Sequence, residues 1–169
     1  MRTWIVRAMA HHPADLADRL TLEDRFDLRC RKIEPLEALE TPVKLSPDYT
    51  FSLFVDDKIE AMGGYFRVDD ETASPWLLTS DSIETAPRTL MRLFRLYLDN
   101  SGFRYFYNYV PLANVKSQRL IRHLGFSLGW PTSFGGEPYL TFVRRHPAKT
   151  HATPIVDAAL TDSDRPPPG

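Results

Sequence analysis

The stretch LANVKSQRLIRHLGF, residues 112–126, carries the clearest local signals in the chain. Asn114 stands where a helix N-cap belongs, and Leu120, Ile121 and Leu124 then fall on one helical face. Gly125 occupies the left-handed position that closes a helix. Directly before it, FRYFYNYVPL (103–112) is a run of strong strand formers. A strand that feeds a capped helix at once is the unit from which α/β folds are assembled.

Outward from this unit the pattern continues. PYLTFVRR (138–145) reads as a last strand. DSIETAPRTLMRLFRLYLDNSG (81–102) is the longest helix. Leu90, Leu93, Phe94 and Tyr97 or Leu98 form its apolar face, Arg88, Arg92 and Arg95 its polar ones, and Ser101–Gly102 its end. ASPWLLTS (73–80) is a short strand, and YTFSLFVDDKIEAMGGYFRV (49–68) is two strands around a tight turn at Asp56–Asp57. At the N-terminus TWIVRAMA (3–10) is a strand with Trp4, Val6 and Ala8 on one side. Pro13 suits a first helical turn, with Leu16 and Leu20 on one face. Thr21 caps the helix TLEDRFDLRCRKI (21–33), with Asp24 at the third position and Leu22, Phe26, Cys30 and Ile33 as its stripe. EPLEALE (34–40) is a further short helical turn, stopped near Pro42. The order predicts one α/β domain over 1–148, a mixed sheet with helices on both faces. KTHATPIVDAALTDSDRPPPG (149–169) is a polar, Pro-rich extension. It reads either as a disordered tail or as an arm that orders on a partner through Pro154, Ile155, Val156 and Leu160.

Composition narrows the function classes. With 169 residues, 43% hydrophobic and 12% aromatic, the chain can bury a real core. A formal net charge of −1 supplies no field for nucleic acid or an anionic membrane, so sequence-specific DNA binding and membrane association are not expected. MRTWIVRAMAHHPADL (1–16) has no convincing cleavage site and reads as a first strand. The single cysteine, Cys30, excludes an intramolecular disulfide and is read as a small core hydrophobe of a protein made in a reducing compartment. The adjacent His11 and His12 point apart if on a strand, and no further ligands accompany them, so no metal is expected. His123 is a lone surface imidazole.

The form N-x-x-[SA]-x-R-L-x-x-x-L-G-F after an aromatic strand resembles the last conserved segment of the GNAT N-acetyltransferases. Asn114, Ser117, Arg119, Leu120, Leu124, Gly125 and Phe126 match it. The resemblance implies a mostly antiparallel sheet whose central parallel strands, PWLLTS and FRYFYNYV, splay to form an acetyl-CoA cleft. More narrowly, the W-L-L-T-S and N-Y-V-x-x-x-N segments make residues 3–145 similar to GNAT-like proteins of tailed bacteriophages, which are related to internal virion protein A of short-tailed phages.

An enzyme of this kind needs backbone N–H donors for the cofactor pyrophosphate, supplied in the family by a [QR]-x-x-G-x-[GA] loop. Here the equivalent stretch is TSDSIETAP (79–87), with no glycine and with Asp81 and Glu84 where phosphates would lie. PWLLTS holds no acid to serve as a base. The favoured expectation is therefore a non-enzymatic virion or assembly protein without a cofactor. It would be made in the host cytoplasm and reside in the particle, in contact with portal, tail or internal core proteins, with multiple copies possible. Its contact residues would be Arg88, Arg92, Arg95, the exposed Trp130 and Phe134 of a loop GWPTSFGGEP (129–138), and Ile155, Val156 and Leu160 of the arm. The alternative is an acetyl-CoA-dependent N-acetyltransferase with a degenerate loop. The resemblance then implies Tyr107 or Tyr109 as general acid. Leu78, Ser80, Asp81, Ser82, Ile83, Asn114 and Ser117 would hold the cofactor, with free N–H groups from Ser80 to Ile83.

Overall fold

A computed structural model describes residues 1–85 and 87–146; the side chains at 84, 85 and 87 are not described either. The boundary expected at 148 and the arm with Ile155, Val156 and Leu160 lie outside the described residues. The elements follow as β1 (Thr3–Arg7), α1 (His12–Ala17), α2 (Leu22–Cys30), α3 (Pro35–Leu45), β2 (Thr50–Val55), β3 (Lys58–Arg67), β4 (Thr72–Thr79), α4 (Pro87–Asp99), β5 (Tyr105–Pro111), α5 (Val115–His123), β6 (Ser127–Phe134) and β7 (Glu137–Arg145). The seven strands form one sheet in the order β1-β2-β3-β4-β5-β7-β6. Every pairing is antiparallel except β4 with β5.

Helices cover both faces, as the pattern predicts. On one, α1–α3 bury Leu16, Leu20, Leu28 and Leu39 against Ile59, Met62 and Leu78. On the other, Leu90, Leu93, Phe94 and Leu98 of α4 and Ile121 and Leu124 beside α5 cover Phe51, Tyr65, Phe106 and Val110. The Asp56–Asp57 turn has positive φ at both residues (46° and 70°), the geometry that matches the twist of a two-residue hairpin. α5 begins where its cap was read: the Asn114 side chain accepts from the Ser117 N–H at 3.0 Å, and Gly125 follows at φ +89°. Asn114→Ala is expected to cost about 1 kcal/mol, read as a lower urea midpoint with an unchanged slope.

Four expectations are corrected. GWPTSFGGEP is no loop: most of it is β6, an edge strand turned into β7 at Gly135–Gly136. Gly129 and Pro131 hide it, and an edge strand with an irregular register between Leu128 and Pro131 accommodates both. α3 runs past Pro42 to Leu45, with Pro42 buried and its carbonyl taken by the Ser46 N–H at 2.8 Å. Leu22 does not belong to the apolar stripe of α2: it is 79% exposed, while Leu28 is buried. His12 lies on α1, not on a strand; it is buried, with Nδ1 2.8 Å from Ser52 Oγ.

Candidate active site

The parallel pairing of β4 and β5 is brief. Thr72 pairs with Tyr105 and Ala73 with Phe106, and there the register ends. Pro75 helps to end it, because it has no N–H to donate. Its carbonyl accepts from Asn108 Nδ2 at 2.7 Å, and beyond that bridge the strands diverge. A cleft of about 480 Å³ fills the gap, reaching both faces of the sheet. Trp76, Leu77, Leu78 and Thr79 line one side, Asn108, Tyr109 and Val110 the other.

β4 alternates its backbone groups between its two neighbours. Val68 donates to the Thr72 carbonyl and Ser80 to the Glu60 carbonyl, so the even-numbered residues serve β3. The odd-numbered peptides face the splay. At Thr79 both groups are held by the N-terminal end of α2: Thr21 N–H donates to the Thr79 carbonyl at 3.0 Å, and the Thr79 N–H donates to Asp24 Oδ2 at 2.8 Å. Leu77 remains as a peptide edge with no strand beside it in the cleft, since the β4–β5 register ends at Ala73.

Asp24 is the residue that sequence reading missed. Its N–H is capped by Thr21 Oγ1 at 3.1 Å, the N-cap read from sequence, but the reciprocal half of a capping box is absent, since the Thr21 N–H goes to the Thr79 carbonyl. Its carboxylate, however, lines the cleft against Thr79. Burial raises its pKa from 3.8 to about 6, the N–H and hydroxyl of Thr79 and the hydroxyl of Thr21 pull it back, and the charge of Asp27 adds a smaller upward push. The bonds from Thr79 both use Oδ2, at 2.8 and 3.3 Å. A carboxylate tuned in this way beside an open peptide edge is equipped to accept a proton near neutrality.

A second network holds the opposite side. Asp27 accepts from Tyr139 Oη at 2.7 Å and from Arg31 Nε at 2.8 Å. Arg31 also donates to the Tyr109 carbonyl at 2.8 Å and lies over the rings of Phe134 and Tyr139, 5.4 Å from each centroid. α2 is thereby fixed to β5 and β7, which sets the width of the cleft. Burial and the bond to Asp27 push the Tyr139 phenol well above its ordinary range, so Tyr139 is a strut and not a titrating group.

Of the residues named from sequence, Leu78, Asn114, Ser117 and Tyr109 line the cleft, and Tyr107 does not, although its ring is 6.3 Å from that of Tyr109. The loop differs from expectation. Ser80 is buried, its N–H is spent on the Glu60 carbonyl and its hydroxyl on the Glu60 carboxylate. The Ile83 N–H goes to the Ser80 carbonyl at 3.2 Å. The N–H groups from Ser80 to Ile83 are thus not all free, and Asp81 and Ser82 are its exposed members. Among the residues expected to make partner contacts, Trp130 is 85% exposed, and Arg88, Arg92 and Arg95 are exposed. Phe134 is not: its ring packs 5.2 Å from Tyr109 and 4.8 Å from Tyr139.

No family model matches the sequence, and no curated protein does. Solved structures do match the fold. A ribosomal-protein-S5-alanine acetyltransferase from Vibrio fischeri superposes with a TM-score of 0.64 at 13% identity over 89% of this chain and 96% of its own. A GNAT-family acetyltransferase from Bacillus cereus ATCC 10987 gives 0.63 at 12% identity over 88% and 100%. AAC(6')-Ib, in complex with ribostamycin and coenzyme A, gives 0.63 at 9% identity over 86% and 94%. With its parallel β4–β5 pair inside an otherwise antiparallel seven-stranded sheet, the chain has the fold of the GNAT acetyltransferases.

Proposed function

We propose that the protein is an N-acyltransferase that moves an acetyl group from a pantetheine thioester, of which acetyl-CoA is the simplest common form, to an amine. The observation that carries this reading is the Asp24 carboxylate at the open edge of β4, inside a cleft created by the splay of β4 from β5. The coenzyme A complex of a protein with the same fold supports the choice of cofactor.

The residues fit the pantetheine part of such a donor. Leu77 offers an unpaired peptide edge, and Leu78, Asn114 and Ser117 line the channel. They fit its diphosphate poorly, because the loop that follows has no glycine and exposes Asp81. The thioester, when bound, supplies an activated acyl carbon. The Asp24 carboxylate takes the proton of the acceptor amine and so frees its lone pair. The Leu77 N–H is placed to bond the carbonyl oxygen as charge builds on it. The Tyr109 hydroxyl, on the β5 side, returns a proton to the departing sulfur.

A thermal melt with millimolar acetyl-CoA tests the reading. Saturation at ~100 times the dissociation constant adds about 2.7 kcal/mol. In a domain of this size that raises Tm by roughly 5–10 °C. No shift with acetyl-CoA or with acetyl-pantetheine would favour the second reading, a virion or assembly component that works by contact with portal, tail or core proteins. What supports that reading is Trp130, 85% exposed on an edge strand, together with the glycine-free loop.

A further inference from the structure

The cleft and the loop disagree. The cleft has the space and the open peptide edge for a pantetheine arm, yet the loop beyond it is poorly made for phosphates. Free acetyl-CoA needs phosphate contacts for much of its hold. A pantetheine arm presented by a protein does not, because the protein surface supplies the affinity and one phosphodiester replaces the diphosphate and nucleotide.

The surface around the mouth suits such a presenter. α4 and α5 cover the same sheet face and are linked by a bond from Arg95, one turn before the end of α4, to the His123 carbonyl at the end of α5. Their outward sides carry Arg88, Arg92, Arg95, Lys116, Arg119 and Arg122, all exposed. Within α4 and α5 the sole acid is Asp99, and it pairs with Arg144. In a chain with net charge −1, this concentration of cations leaves the rest of the sequence with a negative formal charge. Apolar side chains sit at the rim as well: Leu112 is 48% and Val115 52% exposed, flanking the cleft-lining Asn114. Arginine around exposed aliphatic groups is the make-up of a protein-docking surface that selects an acidic partner.

We infer that the preferred acyl donor is a thioester on the phosphopantetheine arm of an acidic carrier protein, docked on the α4–α5 face beside the β4–β5 cleft. The inference rests on the acyltransfer reading and concerns only the donor.

The test measures dissociation constants for three probes: an acidic acyl carrier protein with an acetylated phosphopantetheine arm, acetyl-CoA and acetyl-pantetheine. The carrier thioester is expected to bind at least tenfold more tightly than acetyl-CoA and to weaken as salt rises from 0.05 to 0.3 M, estimates of the order steering charges provide. Arg88→Glu and Arg119→Glu are each expected to weaken carrier binding about five- to tenfold while leaving acetyl-pantetheine unchanged. Carrier affinity untouched by both reversals overturns the inference and leaves acyl transfer standing, as does tighter binding of acetyl-CoA. Duplex DNA that competes for the same face as strongly as the carrier overturns it in favour of a nucleic-acid role. Binding of none of the three thioesters overturns the inference together with the reading beneath it.

Discussion

Asp24→Asn is expected to slow acyl transfer by about 10²–10⁴ in kcat, and at the same pH to make the fold more stable. The two effects share one cause. Burial lifts the Asp24 pKa from 3.8 to about 6 in the folded chain. Between those values the folded chain holds a proton that the unfolded chain has released, so stability falls as pH rises from about 4 to about 6 and stays at the lower level above. Asparagine has no charge to bury, and its side-chain oxygen can still accept from the Thr79 N–H. The gain at pH 7.5 is roughly 2 kcal/mol, and it is smaller at pH 4.5. Activity of the unchanged protein follows the ionised fraction and rises through about pH 6 to a plateau. Melting curves of both proteins at pH 4.5 and 7.5, with rates across the same range, check this. An unimpaired rate would place the base elsewhere. A lower Tm at pH 7.5 would make the carboxylate a structural strut.

Gly64→Ala is expected to cost about 3 kcal/mol or more, a fall in Tm of roughly 6–12 °C. At Thr50↔Gly64 β2 and β3 approach so closely that a Cβ on residue 64 would lie 2.1 Å from the Tyr49 carbonyl oxygen and 3.2 Å from Thr50 Cα. These are backbone atoms, which no rotamer change can move. The Tyr49 carbonyl also accepts the Tyr97 hydroxyl, and the rings of Tyr49 and Tyr97 each stack 5.0 Å from Tyr65. Pushing the strands apart therefore loosens the largest aromatic cluster of the core. Gly136→Ala is the control. Nothing lies within 4 Å of its Cβ, so only the strain of φ +78° remains, about 1 kcal/mol. Urea unfolding of both variants compares the two; equal losses would mean that β2 and β3 can part at little cost.

The elements legible in the sequence are those whose signals are local. The cap, apolar face and terminal glycine of α5 lie within twelve consecutive residues, Asn114 to Gly125, and the Asp56–Asp57 turn is a dipeptide property. β6 was hidden because proline and glycine argue against a central strand, and only the sheet order reveals that it is an edge. Leu22 shows the limit of periodicity: its spacing fits a buried stripe, yet no element covers the start of α2 there. The site was half legible. Asn114, Ser117 and Tyr109 belong to the strand–helix unit that set the fold. Asp24 looked like an ordinary capping residue. Its partner Thr79 is 55 positions away, and a contact across that separation leaves no mark in the residues on either side.

The bridge from Asn108 to the Pro75 carbonyl has a mechanical consequence. It stands at the apex of two diverging strands, much like the pivot of a pair of tweezers. From Pro75 to Thr79 the strand runs on for about 13 Å. A small change of angle at the apex is therefore magnified at the tips, where Leu77 and Thr79 meet whatever enters. The aperture of the site thus depends on one amide–carbonyl contact at the apex as well as on the Asp27–Arg31 network that fixes α2.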